Sequence, residues 1–140
     1  MFNKTISVVW ISTFLISCGG DDGGGDEATY ENFLKIVKSQ TDNTAIDCGT
    51  VTYGGSQYES NLCMADAFTN DQQFYAFYEL LSYDSTRYVS PVLTKSGDLK
   101  FYYYNSGTIT SGSITDETCV NAEFTGSVDS SWQEVFECDI

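Results

Sequence analysis

The feature that most limits what this chain can fold into is a change of hydrophobic period near residue 72. Tyr30, Phe33, Leu34 and Val37 fall at i, i+3, i+4 and i+7, which predicts one apolar face of a helix over 27–40. Asp26 is placed to cap its start, and Lys35 and Lys38 lie near its end, where the helix dipole favours cations. Tyr58, Leu62, Ala65 and Phe68 repeat at helical spacing and predict a second helix over 56–70, with Asn70 as its stop. A short strand over 46–53, ending at Gly54-Gly55, separates the two. From Gln73 the pattern becomes that of strands, over 74–83, 88–94, 99–104, 114–124 and 132–138, with turn signals at Asp84-Ser85-Thr86 and Ser96-Gly97-Asp98. Pro91 predicts an edge or a bulge for its strand. Alternation puts Leu99, Phe101 and Tyr103 on one face and Lys100, Tyr102 and Tyr104 on the other. The expected fold class is therefore α+β: two helices packed on an antiparallel β-meander of about four to five strands, which the 46–53 strand can extend.

The N-terminus is of a different kind. Lys4 precedes an apolar run from Ile6 to Ile16, too short to span about 30 Å of hydrocarbon as a helix but suited to the apolar region of a signal peptide. It ends in Leu15-Ile16-Ser17-Cys18, followed by Gly19-Gly20-Asp21-Asp22. This order resembles the lipobox of bacterial lipoproteins. The resemblance implies that 1–17 is a signal peptide and that Cys18 becomes the lipidated first residue, with three acyl chains fixing the protein to a membrane. Residues 18–26 then form a Gly/Asp tether and 27–140 a single domain. The acidic stretch after Cys18 also resembles the surface-export tag of some outer-membrane lipoproteins. No Asp stands directly after Cys18, so the class's inner-membrane retention signal is absent, and the resemblance implies the outer membrane.

There are five cysteines: Cys18, Cys48, Cys63, Cys119 and Cys138. An odd count in an exported chain usually flags a free thiol; lipidation of Cys18 leaves four. Four cysteines in an oxidising compartment allow three pairings, of which Cys48–Cys63 with Cys119–Cys138 is favoured because both loops are local. Each bridge would contribute about 3 kcal/mol on the chain-entropy model. The alternative use, a Cys₄ zinc site, is opposed by the lack of any C-x-x-C pair and of any His.

The chain carries a net charge of −14. That excludes the basic face needed for nucleic acid and repels the domain from anionic lipid. The chain has no His, which removes Ser-His-Asp and Cys-His catalysis and His–metal sites together. No Gly-x-Ser-x-Gly elbow occurs. The glycines of 107–113 have phosphate-loop spacing without its lysine and read as a hairpin loop. The acidic tether lacks the alternating oxygens of a calcium loop. No catalytic residue, cofactor or metal is therefore expected.

Asp47-Cys48-Gly49, Asn61-Leu62-Cys63 with Ala65 and Ala67, Phe74-Tyr75 and Asp84-Ser85 together resemble, over about 47–105, small bacterial exported domains with disulfides. The resemblance implies that the helices and the strands belong to one domain, and it brings no activity with it.

The functional expectation is a lipid-anchored, non-enzymatic binding module of the cell envelope, with an envelope protein or glycan as partner. Tyr102 and Tyr104, beside Lys100, form the candidate binding face, since tyrosine is apolar in body and polar at its tip. Tyr75, Tyr83 and Tyr88 lie on neighbouring segments. The competing reading of that face is burial beneath a helix. Two further functions stay open: a glycan-acting enzyme using two carboxylates about 5–10 Å apart in a cleft, and a structural lipoprotein without a specific ligand.

Overall fold

The first helix, α1 (Tyr30–Ser39), begins at Thr29, whose hydroxyl accepts the Asn32 N–H at 3.1 Å, satisfying a donor that the first turn leaves unpaired. Thr29, rather than Asp26, is thus the cap. The computed structural model describes residues 27–107 and 112–139. The 1–17 segment, Cys18, the Gly/Asp tether and residues 108–111 of the Gly/Ser/Thr loop lie outside the described residues.

After α1 come β1 (Ile46–Val51), α2 (Tyr58–Thr69), β2 (Phe74–Leu80), β3 (Arg87–Leu93), β4 (Leu99–Asn105), β5 (Ser113–Phe124), a single 3₁₀ turn (Trp132–Glu134) and β6 (Phe136–Asp139). The strands form one six-stranded sheet in sequence order. β1 pairs with β2 in parallel and every later pair is antiparallel. The protein is thus α+β with two disulfides, but its sheet is mixed, not an antiparallel meander of four to five strands. The reason is local: α2 separates β1 from β2, and a helical crossover returns the chain in the same direction. The segment 132–138 is not one strand either. Ser131 caps a 3₁₀ turn at Trp132, and β6 starts only at Phe136.

Pro91 lies in an interior strand and is fully buried, against the expectation of an edge. Its missing N–H interrupts the β2–β3 ladder opposite Ala76. The Ser90 hydroxyl repairs the loss by donating to the Ala76 carbonyl at 2.6 Å, so a buried acceptor keeps a partner.

Both faces of the sheet are covered. On one, Phe33 and Val37 of α1 pack on Phe77, Val92, Tyr102 and Tyr104. On the other, Met64 and Ala67 of α2, with Trp132, Val135 and Phe136, cover Phe74, Tyr78, Val89, Leu99 and Phe101. The α1 face is the one its periodicity predicts. The α2 face is not. Its buried residues are Ser60, Asn61, Met64, Ala65 and Ala67, while Tyr58 is exposed. Small and polar residues face inward because the helix sits close on β1: the Ser60 hydroxyl donates to the Cys48 carbonyl at 2.7 Å, and Cys63 is bridged to Cys48.

The pairing is Cys48–Cys63 and Cys119–Cys138, the local arrangement. The first ties α2 to β1, and the second ties β6 to β5. Beside the first, the Asp47 carboxylate accepts the Gly49 N–H at 3.0 Å, and Gly49 has φ +88°. That is the left-handed region, where only glycine is free of strain, and it coincides with the break in β1–β2 register between Asp47 and Thr50. Asp47-Cys48-Gly49 is thus the sequence of a bulge.

Candidate functional site: a cleft beside Trp132

The face proposed from sequence is not open. Tyr102 is 5 % exposed and Tyr104 is 6 % exposed. The Tyr104 ring stacks on Phe33 at 5.6 Å, and Tyr30 of α1 lies 4.6 Å from Tyr88. Helix α1 needs an apolar surface to bury Phe33 and Val37, and this is the surface it takes. Lys100 stays part-exposed and its ammonium pairs with Asp116 at 3.2 Å. That hydrogen bond, with the nearby Tyr102, raises the lysine above its usual range. Tyr75 and Tyr88 are half-buried, and Tyr83 stands fully in solvent on the β2–β3 loop.

The opposite face of β4 is covered unevenly. Helix α2 shields the β1–β2 side. Over β4 and β5 the cover comes mainly from the 3₁₀ turn and the start of β6, with the end of α2 also reaching β5, and a half-open cleft of about 300 Å³ lies there. Phe101 and Tyr103 alternate onto it from β4, and Glu117 and Cys119 from β5, with Phe101 directly opposite Glu117. Trp132, Gln133 and Phe136 form the other wall, and Cys138 closes one end through its bridge to Cys119. The Trp132 ring lies 5.7 Å from Phe101 and 6.1 Å from Tyr78.

The turn carrying Trp132 is anchored by the burial of Trp132, Val135 and Phe136 and is also held by polar groups at the start of α2. The Gln57 amide oxygen accepts the Trp132 N–H at 2.8 Å. Asn61 is completely buried. Its amide nitrogen donates to the Val128 carbonyl at 3.1 Å and the Ser130 carbonyl at 2.8 Å, and its oxygen accepts the Tyr78 hydroxyl at 2.8 Å. Both donors of that side chain hold the β5–β6 connection against the helix, and its acceptor ties the helix to β2 through Tyr78. Burial pushes the Tyr78 phenol far up, so it stays a donor.

Inside the cleft the Tyr103 hydroxyl reaches the Glu117 carboxylate at 3.4 Å. Burial first, then the glutamate charge, raises the Tyr103 phenol above its ordinary value. Among the described residues Glu117 is the one carboxylate of the lining. Among the described residues no group of three or more His, Cys, Asp or Glu could hold a metal ion. Phe101, Trp132 and Phe136 are themselves buried and form the floor of the cleft, so what it offers a ligand is the part-exposed Tyr103 ring and the Glu117 carboxylate, which accepts hydrogen bonds.

Sequence reasoning missed Trp132, Glu117 and Asn61 as site residues. Asn61 left one signal, a polar residue on the helix face that also carries Met64 and Ala65. Trp132 left another: it is the only tryptophan of the sequence from 18 to 140, the other being Trp10. No family model, no curated protein and no solved structure matches this chain.

Proposed function

We propose that this chain is a lipid-anchored protein of the cell envelope, held in the outer membrane through Cys18, and that its folded domain is a non-enzymatic binding module. The cleft beside Trp132 replaces the Tyr102/Tyr104 face as its ligand site, and a sugar ring of an envelope glycan is the ligand class. The observation that carries this reading is the lining: the part-exposed Tyr103 ring and the Glu117 carboxylate over a buried floor of Phe101, Trp132 and Phe136, in a half-open hollow of about 300 Å³. Such a site stacks on the apolar face of a ring and accepts hydrogen bonds from its hydroxyls at Glu117. Anchoring rests on Leu15-Ile16-Ser17-Cys18; among the described residues no helix is long and apolar enough to cross a membrane. Binding is favoured over glycan hydrolysis because hydrolysis calls for a second carboxylate about 5–10 Å from the first, and Glu117 has no such companion in the lining.

The test is a titration of the chain with a panel of envelope glycan fragments, read by Trp132 emission and by calorimetry. The expected result is saturable binding of at least one fragment, weakened about tenfold or more by Glu117→Gln. A folded protein that answers no fragment, or binds one equally well as Glu117→Gln, refutes the site.

A further inference from the structure

The large apolar residues that stay exposed are not scattered. β1, β2 and β4 run in one direction, so the segments that follow them share one end of the sheet. Tyr53 follows β1 and is 59 % exposed; Leu81 and Tyr83 follow β2 and are 57 % and 99 % exposed. Tyr58, exposed at the start of α2, belongs to the same end. The β2–β3 loop is tied to the chain after β4: the Ser106 N–H donates to the Thr86 carbonyl, and the Thr86 N–H to the Ser106 hydroxyl, both at 2.9 Å. The other exposed large apolar residues, Val120 and Phe124, lie on the second half of β5, which runs away from this end.

The chain also comes into the domain here. A Cβ placed on Gly112 would stand 2.9 Å from the Ala28 carbonyl and 2.8 Å from the Asn105 carbonyl, so Ala28 lies against the two ends of the β4–β5 connection. Nine residue steps lead back from Glu27 to Cys18, a reach of at most about 30 Å.

We infer that this end of the domain docks on the bilayer to which Cys18 is anchored, with Leu81 and Tyr83 entering the boundary between headgroups and acyl chains and Tyr53 beside them. The inference rests on the anchoring reading above and is independent of the cleft. Tyrosine suits that boundary because its ring is apolar and its hydroxyl polar. Two side chains would not bring a free domain to a membrane. Tethering changes this, because a leash of about 30 Å holds the end at an effective concentration in the millimolar range. The acidity of the chain makes the lipid a zwitterionic one, since anionic headgroups would repel it.

The test uses the full lipidated chain reconstituted in phosphatidylcholine vesicles, compared with its Cys18→Ser form mixed with the same vesicles. Flotation reads anchoring, and hydroxyl-radical footprinting with mass spectrometry reads docking. The expected result is flotation of the lipidated chain, with oxidation of Leu81 and Tyr83 slowed threefold or more and Val120 and Phe124 unchanged. A Leu81→Ser/Tyr83→Ser chain, changed only at exposed positions, should still float but lose protection of Tyr53. Flotation without protection of Leu81 and Tyr83, equal protection of Val120 and Phe124, or Tyr53 protection that survives the double substitution overturns docking while anchoring stands. Absence of flotation overturns the anchoring reading, and docking falls with it.

Discussion

Asn61→Ala is the substitution that most directly probes how the cleft is held. It removes three hydrogen bonds from a fully buried side chain, those with Tyr78, Val128 and Ser130. At about 1 kcal/mol net for each bond, the loss is about 3 kcal/mol. The Tyr78 hydroxyl is then left with the Met64 sulfur at 3.9 Å and the Ser60 hydroxyl, which is committed to the Cys48 carbonyl, and this adds about 1–2 kcal/mol for a poorly satisfied buried donor. Alanine's better helix propensity returns about 0.6 kcal/mol. The sum is a destabilisation of about 4 kcal/mol, or on the order of 15 °C in Tm for a domain this size. Tyr78→Phe breaks one of the three bonds and should cost about 1.5 kcal/mol. Combined with Asn61→Ala it should cost less than the sum, because the stranded hydroxyl is gone. Asn61→Asp keeps the acceptor but turns a carboxylate on two carbonyl oxygens. It should be as damaging at neutral pH and recover stability as the pH falls, since burial and the carbonyls favour the protonated form that can donate. Urea unfolding followed by Trp132 emission and by far-UV dichroism measures all of this. A cost near 1 kcal/mol for Asn61→Ala, or a folded variant whose Trp132 emission is that of the parent, would refute the clamp.

Other expectations follow from single features. Ser90→Ala leaves the Ala76 carbonyl without its donor and should cost about 1–3 kcal/mol. Adding Pro91→Val restores a ladder N–H and should recover part of the loss, and urea midpoints that show no recovery would refute the repair. Replacing Cys119 and Cys138 together by Ser reopens a loop with sequence separation 19. It should cost about 3 kcal/mol and weaken any ligand of the cleft, checked by unfolding and by titration of the same variant. Burial is the first cause raising the phenols of Tyr30, Tyr75, Tyr78, Tyr88, Tyr102 and Tyr103 above the usual 10.0. The folded state therefore favours their protonated form. That contribution is complete below pH 10 and is lost as the pH rises through the higher folded values. Stability should fall steeply above pH 10, and phenolate absorbance of the folded chain should lag that of the urea-unfolded chain; coincident titrations would contradict the burial.

Which parts of this could be seen in the sequence follows from what each residue is buried against. The α1 face was legible because Phe33, Leu34 and Val37 are large and apolar, and the disulfides because both loops are short. The α2 face was not. Ala65 was read as inward, but a helix that lies close on a strand also buries Ser60, Asn61 and Ala67, and hydrophobicity ranks those below the exposed Tyr58. The alternation along β4 was read correctly, with Lys100, Tyr102 and Tyr104 on one side. Alternation divides a strand into two faces, however, and does not say which face a helix will cover. Here both are covered, and the cover is thinner over Phe101 and Tyr103. Pro91 misled for a similar reason: the rule concerns the missing N–H, and the repair comes from the hydroxyl of the residue before it.

Two of the short sequence patterns have physical content. Asp47-Cys48-Gly49 makes the β1 bulge, with the carboxylate on the Gly49 N–H and the sulfur bridged to α2. Asn61-Leu62-Cys63 places a clamp and a bridge on that helix, one reaching the segment before Trp132 and the other β1. Both patterns are therefore structural, and neither carries the proposed chemistry. They act on the cleft through position. The wall carrying Trp132 is fixed by Asn61 and Gln57 at one end and by Cys119–Cys138 at the other. A wall held at both ends loses little freedom when a ligand arrives, which is where a small, half-open site gains affinity. Phe101 and Tyr103 on the opposite wall are set by the β4 ladder. In the glycan titration, binding should thus weaken for Asn61→Ala, whose side chain lies outside the cleft, about as strongly as for Glu117→Gln, the proposed ligand contact.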